Sequence, residues 1–101
     1  MQTKITFRHL KSNPSLNDAA NEILTKISKF NDNITFADVV FTQDVDCQAE
    51  IFLQVQGSTL IAKESSEDFV KSLNLASDKL TRQLRKHKTK DAKSKVEGIE
   101  Y

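Results

Sequence analysis

The sequence predicts an α+β fold of order β-α-β-β-β-α, with two helices packed on one face of a four-stranded sheet. Three observations lead there. Four short segments alternate apolar and polar residues with a period of two, and two longer segments repeat apolar residues at spacings of three and four. Each helical segment has a single apolar face. The last three strands follow one another through short turns, which suits antiparallel hairpins with one covered face. At 101 residues the chain has room for one two-layer core and not for two. The expected organisation is a single domain over 1–90 and a flexible C-terminal tail over 91–101.

The first strand is expected over Thr3 to His9, with Ile5 and Phe7 on one face and Lys4, Thr6 and Arg8 on the other. Asn13-Pro14 starts a helix: Asn is a good N-cap, and Pro at the first helical position has no amide hydrogen to leave unpaired. Leu16, Ala20, Ile23, Leu24 and Ile27 form its apolar face, and Phe30 closes it. Asn31-Asp32-Asn33 is a turn cluster. The second strand runs Phe36 to Gln43, with Ala37, Val39 and Phe41 on one side. The third runs Gln48 to Gln56, with Ala49, Ile51, Leu53 and Val55 inward and Phe52 on the outer face. Gly57 marks a tight hairpin turn, followed by a short fourth strand from Thr59 to Lys63. Ser65-Ser66-Glu67-Asp68 reads as a Ser-capped helix start with acidic residues in the first turn. The second helix has no Gly or Pro to stop it before Lys90, and its apolar stripe is Phe69, Leu73, Ala76, Leu80 and Leu84.

Several function classes find no support in the composition. A single Cys47 excludes an internal disulfide, and its near neighbours Asp44 and Asp46 are acidic, which disfavours a reactive thiolate. His9 and His87 are the only histidines; His87 stands among cations, which makes it a poor base. No Ser/His/acid set, carboxylate pair, glycine-rich phosphate loop or metal spacing is present, so the protein is expected not to be an enzyme and to need no cofactor, no metal and no small-molecule substrate. No apolar run approaches the length of a membrane span, and Met1-Gln2-Thr3-Lys4 leads straight into a strand without a signal peptide. The expected location is cytoplasmic.

The formal net charge of +1 hides a segregation. Residues 1–78 hold seven Lys/Arg against eleven Asp/Glu, and residues 79–95 hold eight against one. Such a distribution is an electrostatic footprint for a polyanion, although an acidic protein or a membrane surface answers it equally. Lys79, Arg82, Lys86 and Lys90 follow one another at spacings of three and four along the second helix, with Arg85 and Lys88 among them. Lys26 and Lys29 of the first helix either answer its dipole or extend the same basic surface. These eight are the candidate polyanion contacts, and RNA-binding residues if the polyanion is RNA.

The element order and the run Lys79-Leu80-Thr81-Arg82-Gln83-Leu84-Arg85-Lys86-His87-Lys88 together resemble the ribosome hibernation-promoting factor family, also called sigma-54 modulation proteins. The family's second helix closes on Lys-Leu-x-Arg-Gln-Leu-x-Lys-His-Lys, matched at Lys79, Leu80, Arg82, Gln83, Leu84, Lys86, His87 and Lys88. Asp68 matches the helix opening, with Phe69 and Val70 replacing the usual Met and Tyr. The resemblance covers about residues 3–90. Ile23 departs from it, standing where relatives often carry Lys or Arg. The resemblance implies a short-form, cytoplasmic factor, a monomer off the ribosome, that binds rRNA of the small ribosomal subunit in the mRNA/tRNA cleft and inhibits translation in resting cells. Only Phe52 offers itself as an exposed stacking aromatic, so recognition of a folded RNA surface is expected. The competing reading is a protein-interaction module whose basic helix docks on an acidic partner.

Overall fold

A computed structural model gives the fold; it describes residues 2–30 and 33–93, and within the second helix the side chains as far as Arg85. The elements are β1 (Gln2–Arg8), α1 (Pro14–Phe30), β2 (Ile34–Gln43), β3 (Cys47–Val55), β4 (Ser58–Ser66) and α2 (Phe69–Lys93). The strands form one sheet in the order β1-β2-β3-β4. The predicted α+β architecture is what the chain adopts. β1 pairs parallel to β2, and β2–β3 and β3–β4 are antiparallel, as two successive hairpins require.

Register explains which face is covered. Residues paired across strands share a face, so Ile5, Val39, Ile51 and Ala62 form one row beneath the helices. Ala37, Val39, Phe41, Ala49, Ile51 and Leu53 are completely buried in that layer. The opposite face carries Lys4, Asp38, Phe52 and Ile61 in one row and Thr6, Val40, Glu50 and Lys63 in the next. Phe52 is half-buried there, as its outward phase predicts, and Phe36 joins it on that face. Val40 is buried even though it faces away from the helices, in the middle of the sheet between Thr6 and Glu50.

Both helices dock by their expected stripes. Leu16, Ala20, Ile23, Leu24 and Ile27 are the buried residues of α1. Leu73, Ala76, Leu80 and Leu84 of α2 are completely buried, and Phe69 packs edge-on against Phe41 at 5.8 Å. Asn13 caps α1 as predicted: its side-chain oxygen accepts from the amides of Ser15 at 2.9 Å and Leu16 at 3.3 Å.

The largest correction concerns the junction of β4 and α2. The strand does not end at Lys63 but continues to Ser66, because the ladder with β3 runs through Glu64 opposite Ala49 and Ser66 opposite Cys47. The cap of α2 is therefore Asp68, whose carboxylate accepts from the Lys71 amide at 3.3 Å, and no acidic residue lies in the first turn. Ser66 instead steadies the cap from outside the helix, its hydroxyl accepting from the Asp68 amide at 3.2 Å. The other strands shift by one or two residues. β1 ends at Arg8 because His9 takes a left-handed backbone with φ 62°, and Gly57 supplies φ 78° in the β3–β4 turn. Of the Asn31-Asp32-Asn33 turn, only Asn33 falls within the described residues; it is a turn residue whose carbonyl accepts from the Gln56 amide at 3.2 Å.

α2 continues through Lys93, so residues 91–93, expected to belong to the tail, are helical; residues 94–101 of that tail lie outside the described residues. A helix of 25 residues reaches about 37 Å at 1.5 Å per residue. Among the described side chains its last buried anchor is Leu84, and the helix runs nine residues past it to Lys93.

Candidate nucleic-acid interface

Chain direction decides what the two helices can present together. β1, β2 and β4 run one way, and each helix follows one of these strands and folds back over the same face. The helices therefore lie side by side in the same direction, and their cation-bearing halves adjoin. A groove of about 320 Å³ separates them. One wall is Ile23, Lys26, Ile27 and Phe30 from the second half of α1, and the other is Asn74, Ser77, Asp78 and Thr81 from the middle of α2.

The predicted binding cations whose side chains are described divide into three kinds. Lys26, Lys29 and Arg82 are exposed and have no ion-pair or hydrogen-bond partner among the described residues. Arg85 is exposed but engaged: its guanidinium carbon stands 6.0 Å from the centroid of the Phe30 ring, a cation–π contact that ties α2 to the end of α1. Lys79 is also engaged, with its ammonium 2.6 Å from a carboxylate oxygen of Glu64 on β4. One turn on, the Gln83 amide donates to the Ile61 carbonyl of β4 at 3.0 Å, so this flank of α2 leans on the edge strand.

The predicted stripe of Lys79, Arg82, Lys86 and Lys90 thus begins on the β4 flank, whereas Arg82 and Arg85 turn toward solvent and α1. Lys86, Lys88 and Lys90 belong to α2, but their side chains lie outside the described ones. The structure brings Lys26 and Lys29 into the same helical layer as Arg82 and Arg85, a juxtaposition that dipole compensation alone did not require. Sequence reasoning missed the groove and its carboxylate. Asp78 is exposed at the start of the basic run and has no ion-pair or hydrogen-bond partner among the described residues, although Lys26 lines the same groove. Its signal was available as the last acidic residue before six cations, Lys79 to Lys90.

Elsewhere the sequence candidates have bland settings. Cys47 is half-buried with its sulfur 3.7 Å from the Glu67 carbonyl, and His9 is an exposed strand-end residue. Among the described residues no group of three or more His, Cys, Asp or Glu is placed to hold a metal ion, and no helix is long and apolar enough to cross a membrane.

A single mixed sheet under two co-directional helices, with cations gathered on the helical layer, defines a small α+β domain of one known type. The chain belongs to the Sigma 54 modulation protein / S30EA ribosomal protein family, whose model matches residues 3–92. It is 32% identical over 91 residues to a ribosome hibernation promoting factor of Pseudomonas putida, with 89% of each chain covered. It is 33% identical to the factor of that name in Azotobacter vinelandii, covering 89% of this chain and 85% of the relative. Among solved structures, a ribosomal subunit interface protein of Coxiella burnetii superposes with a TM-score of 0.82 at 26% identity, covering 88% of this chain and 99% of that one.

Proposed function

We propose that this protein is a ribosome hibernation factor of the cytoplasm. It binds rRNA of the small ribosomal subunit in the mRNA/tRNA cleft, through its helical layer, and inhibits translation in resting or stressed cells. The observation that carries the reading is that the cation-bearing parts of α1 and α2 adjoin, with Lys26 on the groove between the helices and Arg85 over the Phe30 ring, in a chain similar to proteins named for ribosome hibernation. Exposed ammonium and guanidinium groups on a helical surface neutralise phosphates and release their counterions. Such a surface recognises folded RNA by shape and by phosphate and 2′-hydroxyl contacts. Lys86, Lys88 and Lys90 extend the cationic run past Leu84, the last buried residue of α2 among the described side chains. Lys79 has a secondary part, because a phosphate must compete with Glu64 for its ammonium.

Co-sedimentation with ribosomes tests this. Wild-type protein is expected to pellet with small subunits, and a variant with Arg82, Arg85 and Lys86 all changed to Glu is expected to stay in the supernatant. A triple variant that pellets like wild type would overturn the assignment of this surface. Partner capture before and after ribonuclease digestion tests the competing reading: partners retained after RNA is destroyed would indicate docking on an acidic protein.

A further inference from the structure

We infer that the groove between α1 and α2 is a base-reading pocket that takes one guanine extruded from the bound RNA. The inference rests on the reading of the helical layer as the RNA-facing surface and adds to it a site of sequence discrimination.

The groove, at about 320 Å³, is at the small end of the roughly 300–1,000 Å³ typical of ligand sites, a size suited to a single nucleoside. Its two walls differ in chemistry. Ile23, Ile27 and Phe30 give α1 an apolar wall, while Asn74, Asp78 and Thr81 give α2 a polar one. A nucleobase has the same asymmetry, with apolar faces and a hydrogen-bonding edge. Seated with a face on α1, it directs its edge at α2.

Asp78 selects the base. A carboxylate on a phosphate-binding surface repels phosphate, so its use there must lie in accepting hydrogen bonds. Asp78 is exposed, lines the groove and has no hydrogen-bond or ion-pair partner among the described residues, Arg82 one turn on included. An ionised carboxylate has two acceptor oxygens and no donor. Guanine alone offers two adjacent donors on its Watson–Crick edge, N1–H and the N2 amino group, at the spacing of the two oxygens. Adenine sets its N1 acceptor beside its N6 donor, uracil flanks its N3–H with two carbonyls, and cytosine offers a single amino group; each leaves one carboxylate oxygen facing an acceptor or nothing. Lys26, on the groove wall, and Arg82, on the exposed side of α2, are free to take the phosphates on either side of the extruded nucleotide. Unpaired bases in loops and bulges are what sequence-specific RNA recognition reads.

The experiment is a nitrogen-15 NMR titration of the full chain with the RNA pentamers UUGUU and UUAUU and with free GMP. Expected are saturable shifts at the amides of Ile27, Asn74, Asp78 and Thr81, with UUGUU bound at least about fivefold more tightly than UUAUU. UUGUU is also expected to bind more tightly than GMP, since only the RNA supplies flanking phosphates to both cations. Asp78→Asn, an isosteric change at an exposed helical position, is expected to abolish the preference for UUGUU while leaving the helical spectrum intact. Equal affinity for the two pentamers, or shifts that avoid the groove, would overturn the pocket. GMP binding as tightly as UUGUU would overturn extrusion from RNA in favour of a free-nucleotide site. Ribosome pelleting of the wild type is scored separately. If it pellets while UUGUU shows no preference, the pocket fails and the proposed function stands; if UUGUU is preferred but nothing pellets, the proposed function fails alone.

Discussion

The ammonium of Lys79 lies 2.6 Å from a carboxylate oxygen of Glu64, which ties the first cation of the basic run to the edge strand rather than leaving it for a ligand. Glu64 is on the helix-facing side of β4, opposite Ala49, so the pair bridges the two layers. Its side chain is 27% exposed, compared with 54% for Lys79, so one partner of the pair is partly shielded from solvent. The expected consequence is a division of labour. Lys79→Ala should destabilise the fold by about 0.5–1 kcal/mol and leave the salt dependence of ribosome binding nearly unchanged. Arg82→Ala should do the reverse, with little effect on stability and a salt slope lower by about 1. Chemical denaturation together with ribosome binding across a salt series checks both. Equal changes of slope for the two variants would show that Glu64 releases Lys79 to phosphate.

Ser72 carries the second prediction. It is a completely buried polar residue on α2, and its hydroxyl donates to the Cys47 carbonyl at 2.7 Å while standing 2.8 Å from the Ser66 hydroxyl. With Ser72 donating to Cys47, Ser66 can donate to Ser72, so one small network fastens the helix start to the ends of β3 and β4. Ser72→Ala leaves a buried carbonyl without this donor and should cost about 1–3 kcal/mol. Ser72→Cys, close in volume but a weaker donor, should recover only part of that cost. Urea unfolding midpoints of the three proteins decide it, and an Ala variant as stable as wild type would show that water replaces the hydroxyl.

Why the sequence conveyed some of this and not the rest is clearest at these two residues. Alternation of period two placed Val39 and Ile51 under the helices, and spacings of three and four placed Leu73, Leu80 and Leu84 against the sheet, because burial of apolar area is a local, repeating demand. The family resemblance likewise rested on a contiguous run. The Lys79–Glu64 pair was hidden by one boundary. With β4 ended at Lys63, Glu64 belonged to a loop; with β4 extended to Ser66, period two turns Glu64 inward beside Ala62. The direction of the basic stripe was hidden for a second reason. Spacing shows which residues share a helical face, but only docking shows whether that face meets β4, solvent or α1. The groove is tertiary altogether, since its walls are about fifty residues apart in the chain, and no local pattern brings Ile27 beside Asp78.

Arg85 and Phe30 supply a third prediction. The guanidinium rests over the ring at 6.0 Å, where α1 ends and α2 continues. A double-mutant cycle with Phe30→Leu and Arg85→Met should give a coupling of about 0.5–1 kcal/mol. Phe30→Leu keeps an apolar groove wall, so its stability loss should be small, whereas its effect on ribosome binding reports whether Arg85 must be held in place. Unchanged binding would show that the Phe30 contact is not needed to present Arg85.

Leu84 gives the last prediction, because it is the last anchor of α2 among the described side chains. It is completely buried, and the residues that follow it on α2 include the predicted RNA-binding Lys86, Lys88 and Lys90. Leu84→Ala removes this anchor and should cost about 2–5 kcal/mol. Leu73→Ala, equally buried but near the other end of the helix, should cost about the same on that scale. The two variants should part company in ribosome binding at temperatures where both remain folded. Loss of the anchor at residue 84 lets the cationic end of α2 move relative to Lys26 and Lys29, so a rigid surface becomes one that must be ordered on binding, at about 0.5–1.5 kcal/mol for each side chain immobilised. Leu73→Ala leaves that end docked and should bind as wild type does. Equal weakening by both variants would show that overall stability governs binding, and that the alignment of the two cationic helices does not.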